Sequence, residues 1–255
     1  MKRLHILYTL LFIWLLPVTS NGQPAGKEKL RVISYNIWNG FEHDASRRAN
    51  FINWIKGQQP DILAMTELVG FTEKDLGQLA SEYGHKYYAI VKEEGYPVGI
   101  TSNEPITVVK KQMEGFWHGM LHVKTHGLDM IVTHLSPHDW KFRLKEAQML
   151  TSYIQDNQLD NCMVMGDFNA YSPFDADWVE THAQLIENMQ KWDAEQETYR
   201  NMRDGRFDYS VLSKFLSIGL TDICRLYVPA DKRTTFPAAF LYGWQHGDTR
   251  LHGIG

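Results

Sequence analysis

The chain has 255 residues, of which 44% are hydrophobic and 13% aromatic, a composition typical of a globular protein with a sizeable core. It carries 26 basic and 30 acidic residues, and this acidic balance argues against a general polyanion binder that neutralises many phosphates. The charge does not exclude an enzyme that acts on a single phosphate group through a metal ion.

The first 22 residues are predicted to be a secretory signal peptide, and an uncleaved membrane anchor is the alternative. The segment opens with Lys2 and Arg3, continues through the almost wholly apolar residues 6–18, and ends in small residues. It is too short and wrongly flanked for a stable membrane span. Cleavage would remove two of the 26 basic residues and leave 24 against 30 acidic ones, in a secreted or periplasmic protein.

The next part of the chain predicts strands that alternate with helices. β-branched and aromatic residues at 30–38 and 61–68 indicate strands. Helical spacing at 46–56 and at 72–82 indicates two helices, the second with Thr72 as its N-cap. Short apolar runs spaced like an antiparallel meander follow at 87–91, 98–101, 106–110 and 119–124.

The rest of the chain is also predicted to contain strands and helices. A strand is predicted at 128–135, an amphipathic helix at 141–155, and a short buried strand at 163–165. A charged helix is expected at 178–197, and Thr221 or Asp222 is expected to cap a later helix, so that Asp222 is structural rather than catalytic.

Four of the predicted strands lead to polar side chains at their carboxyl ends. These side chains are Asn36, Glu67, His134, and Asp167 with Asn169. In Gly166-Asp167-Phe168-Asn169 the two-residue spacing puts the carboxylate and the amide on one face of an extended chain. A lone motif of this kind is explained by a strand and an Asx turn. Four such strand ends together indicate an active site at one rim of a sheet.

The histidines and cysteines give less specific evidence of function than the polar strand ends do. His134 and His138 have the spacing of a zinc pair on a helix, but the intervening proline disfavours a helix and no glutamate follows His134, so we reject a zinc site. His118 precedes a strand and is either a contact for a substrate phosphate or a structural histidine. Cys162 is expected to be a buried hydrophobic residue, and its pairing with Cys224 stays open.

The motifs resemble those of the endonuclease/exonuclease/phosphatase superfamily, which includes DNase I-like nucleases, abasic-site endonucleases, sphingomyelinases and inositol-polyphosphate phosphatases. The matching segments occur in family order and are Ser34-Tyr35-Asn36-Ile37, Met65-Thr66-Glu67, Val132-Thr133-His134-Leu135, Gly166-Asp167-Phe168-Asn169 and Gly219-Leu220-Thr221-Asp222. The resemblance covers residues 31 to about 236. It implies an α+β fold for the single domain at 23–255, a four-layer αββα sandwich of two mixed β-sheets flanked by helices.

The resemblance also implies a role for each strand-end residue. Glu67 would be the main ligand of Mg²⁺, or alternatively of Mn²⁺, with Asn36 beside it. Asp167 would orient and deprotonate the attacking water, and Asn169 would hold a phosphate oxygen. His134 would stabilise the charge of the transition state or protonate the leaving group. Such a set suits phosphoryl transfer, which needs a cation, a positioned nucleophile and hydrogen-bond donors at the oxygens.

The sequence departs from the family pattern at its C-terminus. The family has an Arg-x-Asp-Tyr-like strand and a final Ser-Asp-His there, whereas residues 249–255 read Thr-Arg-Leu-His-Gly-Ile-Gly. We therefore expect a domain without its last strands. The protein would be either a weakened secreted Mg²⁺-dependent phosphohydrolase or an inactive relative that binds only metal or phosphate. A phosphate ester of unidentified class is the expected substrate, for a monomer without a general nucleic-acid surface.

Overall fold

The computed structural model describes residues 29–233. The predicted signal peptide at 1–22 and the C-terminal departure from the family pattern at 249–255 both lie outside these residues. Within 29–233, no helix combines the length and the apolar character that a membrane crossing requires.

The first sheet has four strands in the order β1-β2-β4-β3. Strand β1 (Val32–Asn36) runs parallel to β2 (Ile62–Thr66), and β4 (Gly99–Ser102) pairs antiparallel with β2 and with β3 (Tyr87–Ile90). Every residue of β2 is buried, as expected for a central strand that is covered on both faces.

The second sheet also has four strands, in the order β5-β6-β7-β8. Strands β5 (Thr107–Gln112), β6 (Met120–Thr125) and β7 (Leu128–His134) are antiparallel neighbours, and β8 (Cys162–Asp167) runs parallel to β7. Both sheets are therefore mixed.

Two pairs of helices form the outer layers of the fold. They are α2 (Ala45–Gln58) with α3 (Glu73–Glu82), and α4 (Trp140–Asp156) with α7 (Ser210–Leu216). The smaller elements are α1 (Trp38–Phe41), α5 (Ala176–Glu180), α6 (Ala183–Glu195), α8 (Ile223–Tyr227), the hairpin of β9 (Met202–Arg203) and β10 (Arg206–Phe207), and 3₁₀ turns at Pro173–Asp175 and Ala230–Lys232.

Alternate residues of β2 belong to different cores, as the two-residue period of a strand requires. Ile62 and Ala64 lie in the core between the sheets, with residues of β6, β7 and β8. Leu63 and Met65 lie in a second core with apolar residues of α2 and α3, and a third core joins β6 and β7 to α4 and α7. The fold is thus an α+β, four-layer αββα sandwich, as the resemblance implied.

The predicted meander of four strands is wrong as a single unit. Strand β4 enters the first sheet between β2 and β3, whereas β5 begins the second sheet, so the chain crosses between the sheets at 103–106. The spacing of these short strands is the same whether they form one meander or belong to two sheets. Only the long-range pairing of β4 with β2 and of β6 with β7 distinguishes the two arrangements.

The predicted helix at 178–197 is interrupted at Thr181 and His182. The Thr181 hydroxyl donates to the carbonyl oxygen of Trp178 at 2.7 Å, and the His182 ring stacks on Trp178 with 3.8 Å between centroids. Side-chain bonds of this kind compete with helix hydrogen bonds, so α5 ends and α6 starts anew.

The predictions for two helix caps are confirmed. Thr72 caps α3 in a capping box with Asp75, and the carboxylate of Asp222 accepts from the backbone N–H of Arg225 at the start of α8. The prediction that Cys162 is buried is wrong, since this first residue of β8 is only partly buried. Cys224 is also partly buried, and both cysteines are free thiols.

Candidate active site

The polar strand ends converge because each pair of parallel strands ends at the same rim. In the first sheet Asn36 is in register with Thr66, which places Glu67 beside it. In the second sheet His134 is in register with Asp167. Strands β1 and β8 lie against each other across the two sheets, so the four side chains form one cluster.

Asn36 connects the two carboxylates of this cluster. Its Nδ2 donates to Oε1 of Glu67 at 2.8 Å and to Oδ2 of Asp167 at 3.1 Å. Its Oδ1 accepts the backbone N–H of Trp38 at 2.8 Å, which fixes the orientation of the amide. Asn36 therefore sets the spacing between a carboxylate of one sheet and a carboxylate of the other.

Glu67 is only 9% exposed, and both its carboxylate and its backbone carbonyl accept hydrogen bonds. Its second oxygen, Oε2, accepts the backbone N–H of Asn39 at 2.8 Å, and its carbonyl oxygen accepts the N–H of Gly40 at 2.8 Å. The residue itself has a left-handed backbone, with a φ of 59°. A non-glycine residue in this region is strained by about 1–3 kcal/mol and is typical of functional sites.

The donors to Glu67 come from an unusual turn. Residues 38–43 all have φ between 48° and 66°, so this segment, which includes α1, is a left-handed turn. A left-handed conformation costs about 1–2 kcal/mol for each non-glycine residue. At Gly40, a Cβ would lie 2.1 Å from the carbonyl oxygen of Val69, so no side chain fits there. The hydrogen bonds that the backbone N–H groups of Asn39 and Gly40 donate to Glu67 offset part of this strain.

Asp167 both forms the Asx turn and faces the site. Its Oδ1 accepts the backbone N–H of Asn169 at 2.9 Å, while Oδ2 faces Asn36 and lies 3.8 Å from Nε2 of His134. The preceding residue, Gly166, has a φ of 130°, and a Cβ there would lie 1.7 Å from the carbonyl oxygen of Thr133. The absence of a side chain at this position lets β8 bring Asp167 to the rim.

Asn169 is bonded to the histidine segment. Its Nδ2 donates to the carbonyl oxygen of Leu135 at 2.9 Å and to Nε2 of His134 at 3.0 Å. Because Nε2 of His134 accepts this bond, the proton of the neutral ring lies on Nδ1. Asn169 thus fixes the tautomer as well as the position of His134.

The rings of His118 and His134 are stacked, with 4.3 Å between centroids and an interplanar angle of 25°. Each residue is 4% exposed. Nε2 of His118 and Nδ1 of His134 are buried and have no hydrogen-bond partner within residues 29–233. Burial is the main cause that lowers the pKa of His118 to about 2, and the adjacent His134 adds to it, so the ring of His118 is neutral.

Comparison with known proteins identifies the family. A model of the endonuclease/exonuclease/phosphatase family matches residues 33–244, a range that includes every strand end described above. The chain belongs to this family. Its members are phosphoric-ester hydrolases that generally use divalent metal ions, and no curated protein matches the chain in sequence.

Solved structures of this family share the fold at low identity. An AP endonuclease from Archaeoglobus fulgidus is 20% identical, with a TM-score of 0.56 over 83% of this chain and 79% of that one. A 3′-5′ exonuclease, NExo, from Neisseria meningitidis is 16% identical, with a TM-score of 0.60 over 87% of this chain and 83% of that one. A 3′ phosphatase NExo from Neisseria bound to a product DNA hairpin is 16% identical, with a TM-score of 0.61 over 88% and 84%.

The donor set at the rim fits the divalent metal ions that the family uses. Two carboxylates, Glu67 and Asp167, lie on either side of the Asn36 amide, and within residues 29–233 neither carboxylate forms an ion pair with a lysine or arginine. No three His, Cys, Asp or Glu side chains of that range form a metal-binding group by themselves. Mg²⁺ needs only one or two carboxylates because it keeps several of its waters, so this family member has suitable ligands.

Three aromatic side chains contact histidines in this region, and none of the three was predicted from the sequence as part of the site. Tyr96 contacts the ring of His118 at 5.5 Å. Trp117, which is 48% exposed, contacts the ring of His138 at 4.2 Å, and His138 stacks on Tyr199 at 5.0 Å. His138 therefore packs between the rings of Trp117 and Tyr199.

Two residues that form hydrogen bonds with segments of the site were also not predicted from the sequence. They are Asn39, which donates to Glu67, and Glu146, which accepts from the backbone beside His118 and His134. Asn39 contributes only its backbone, although the Asn-Gly pair it forms with Gly40 is a turn signal. Glu146 lies in the middle of α4, where a charged residue in a helical pattern is normally solvent-exposed. Its burial gives no signal in the sequence.

Proposed function

We propose that the chain is a metal-dependent hydrolase in which water attacks a phosphodiester or a phosphomonoester. The observation that carries the proposal is the hydrogen-bonded bridge from Glu67 through Asn36 to Asp167, beside His134, in a member of this family. It joins a metal-ligand carboxylate, a second carboxylate suited to a proton acceptor, and an imidazole within one cluster.

Glu67 would anchor Mg²⁺, or Mn²⁺, with Asn36 beside it. A bound divalent cation would offset the negative charge that develops on the phosphoryl oxygens. Oδ2 of Asp167 faces the cluster, and this carboxylate would orient the attacking water and accept its proton. His134 would stabilise the charge on the phosphoryl group or protonate the leaving oxygen.

Asn169 and His118 would support the phosphate and the imidazole. Nδ2 of Asn169 donates to Nε2 of His134, and a phosphate oxygen that replaced the ring nitrogen would receive the same hydrogen. Nε2 of His118 is buried and has no hydrogen-bond partner among residues 29–233, so it would be available to a phosphate oxygen. Because the ring of His118 is neutral, it would contribute a hydrogen bond rather than a charge.

The substrate would be a small phosphate ester, acted on by a monomer that is secreted or periplasmic. The acidic composition disfavours tight binding of long nucleic acids. The N-terminal sequence of the mature protein from its native host would test the export, since cleavage near residue 22 is expected.

The assay for the function compares the wild type with Glu67→Ala on bis-p-nitrophenyl phosphate, with Mg²⁺ and with EDTA. We expect the substitution to reduce the rate by at least about a hundredfold, because it removes the anchor of the charge-stabilising ion. Glu195→Ala, at an exposed position of α6, is the matched control and should keep the wild-type rate.

Titration calorimetry with Mg²⁺ completes the test. The wild type should bind Mg²⁺ and Glu67→Ala should not. Equal hydrolysis rates for the two proteins would overturn the assigned site. Mg²⁺ binding without turnover on a panel of phosphate esters would instead favour a relative that only binds metal.

A further inference from the structure

Glu146 is a charged residue without exposed surface, placed in the middle of α4. Its Oε1 accepts the backbone N–H of Trp117 at 2.8 Å, and its Oε2 accepts the backbone N–H of Ser136 at 2.8 Å. Trp117 immediately precedes His118. Each oxygen of this one carboxylate therefore holds a different segment of the second sheet's rim.

The two segments carry the stacked histidines. Ser136 follows His134 by two residues, and its own carbonyl oxygen accepts from Arg143 at 3.1 Å. Arg143 precedes Glu146 by three residues on α4 and is also buried, so one face of the helix binds both the N–H and the C=O of Ser136. The helix thereby fixes the backbone just beyond His134.

A carboxylate suits this position because the two N–H groups approach different oxygens. Burial raises the pKa of Glu146 to about 7, and its two backbone hydrogen bonds and Arg143 oppose that rise. A glutamine would present one acceptor and one N–H₂ group, which would face a backbone N–H without an acceptor between them. An apolar residue would leave both backbone donors unsatisfied.

We infer that Glu146 is a positioning residue that clamps the segments of His118 and His134 together and so fixes the stack of the two imidazoles. Its effect on turnover rests on the proposed function, whereas its effect on the geometry of the histidines does not. It touches neither imidazole directly, and it acts through the backbone of Trp117 and Ser136.

The test that does not depend on activity is long-range ¹H–¹⁵N NMR of the histidine rings in full-length Glu146→Gln. The ring signals of His118 and His134 should move, while that of His85, which is bonded to Thr101 and Pro60 and not to α4, should stay. Thr151→Val is the matched control, because Thr151 is buried on the same helix and bonds only within it. Unchanged His118 and His134 signals in folded Glu146→Gln would overturn the inference.

Two further measurements decide the matter if Glu146→Gln does not fold. Glu146→Asp keeps the charge but shortens the reach, and it should shift the same two ring signals. In the wild type, the amide hydrogens of Trp117 and Ser136 should exchange as slowly as those in the middle of α4. Fast exchange of either amide in the wild type would contradict the clamp.

The kinetic arm separates this inference from the proposed function. With an active wild type, Glu146→Gln should lower kcat by about tenfold to a hundredfold through misplacement of the imidazoles, with little change in KM. Thr151→Val should keep the wild-type kcat. An inactive wild type whose histidine signals still respond to Glu146→Gln would refute the proposed function and leave the clamp standing.

Discussion

The side-chain nitrogen of Asn36 lies 3.1 Å from Oδ2 of Asp167, although 131 residues separate the two in the chain. One residue ends β1 of the first sheet and the other ends β8 of the second. Because the same nitrogen also donates to Glu67, this contact couples the carboxylate proposed to hold the metal ion to the carboxylate proposed to activate water. A change at Asn36 should therefore affect both carboxylates.

Replacement of Asn36 by aspartate is expected to make folding depend on divalent cations. A third carboxylate between Glu67 and Asp167 would lose two hydrogen bonds and add like-charge repulsion, at a cost of about 1–3 kcal/mol without metal. In thermal unfolding, the variant should have a lower Tm than the wild type in EDTA and a larger rise in Tm with Mg²⁺. Asn188→Asp, at an exposed position of α6, is the control, and an equal Mg²⁺ response in all three proteins would contradict the prediction.

Replacement of Gly166 by alanine should separate β8 from β7. The new Cβ would lie 1.7 Å from the carbonyl oxygen of Thr133, so the strands must move apart, and we expect a loss of about 3 kcal/mol or more. Urea unfolding measures the loss. Gly127→Ala is a matched control, because Gly127 also has a positive φ but a Cβ there would meet nothing within 4 Å. It should cost about 1 kcal/mol, since only backbone strain is added. Similar losses at the two positions would mean that the close approach is unimportant.

His118 should lower the stability of the protein in mild acid, whereas Glu146, whose pKa is raised to about 7, acts in the opposite direction over the same pH range. Burial lowers the pKa of the His118 ring to about 2, from an ordinary value of 6.5. As the pH falls below 6.5, the unfolded chain takes up a proton at this residue and the folded chain does not. The stabilisation is therefore fully present above pH 6.5 and declines by up to about 1.4 kcal/mol for each pH unit below it.

Urea unfolding between pH 5 and pH 7.5, at roughly the limits over which histidine titrates, can isolate this contribution. His118→Phe keeps an aromatic ring against His134 but removes the titration of His118, so its free energy of unfolding should rise less with pH than that of the wild type. His43→Asn removes an exposed histidine and should keep the wild-type slope. A wild-type slope in His118→Phe would show that His118 is already protonated in the folded state at mildly acidic pH.

Most elements of the sandwich were predictable because their patterns are local. Strand β2 is continuous and apolar, and α3 has both a helical period and a capping box, so their positions follow from a few neighbouring residues. The assignment of β3, β4, β5 and β6 to two sheets was not predictable. Short strands of equal spacing pair in several ways, and only the partners β2 and β7 decide which sheet each one joins.

Local patterns in the sequence are enough to place polar side chains at the strand ends, since Asn36, Glu67, His134 and Asp167 each follow an apolar run with the period of a strand. The contacts that hold them are visible only in the folded chain: a left-handed turn at 38–43, and the buried carboxylate of Glu146. Backbone strain of this kind persists only when the surrounding fold over-determines it, and a buried charge is tolerated only where distant donors reach it. Both conditions depend on contacts between residues far apart in the chain, and local sequence patterns contain no record of such contacts.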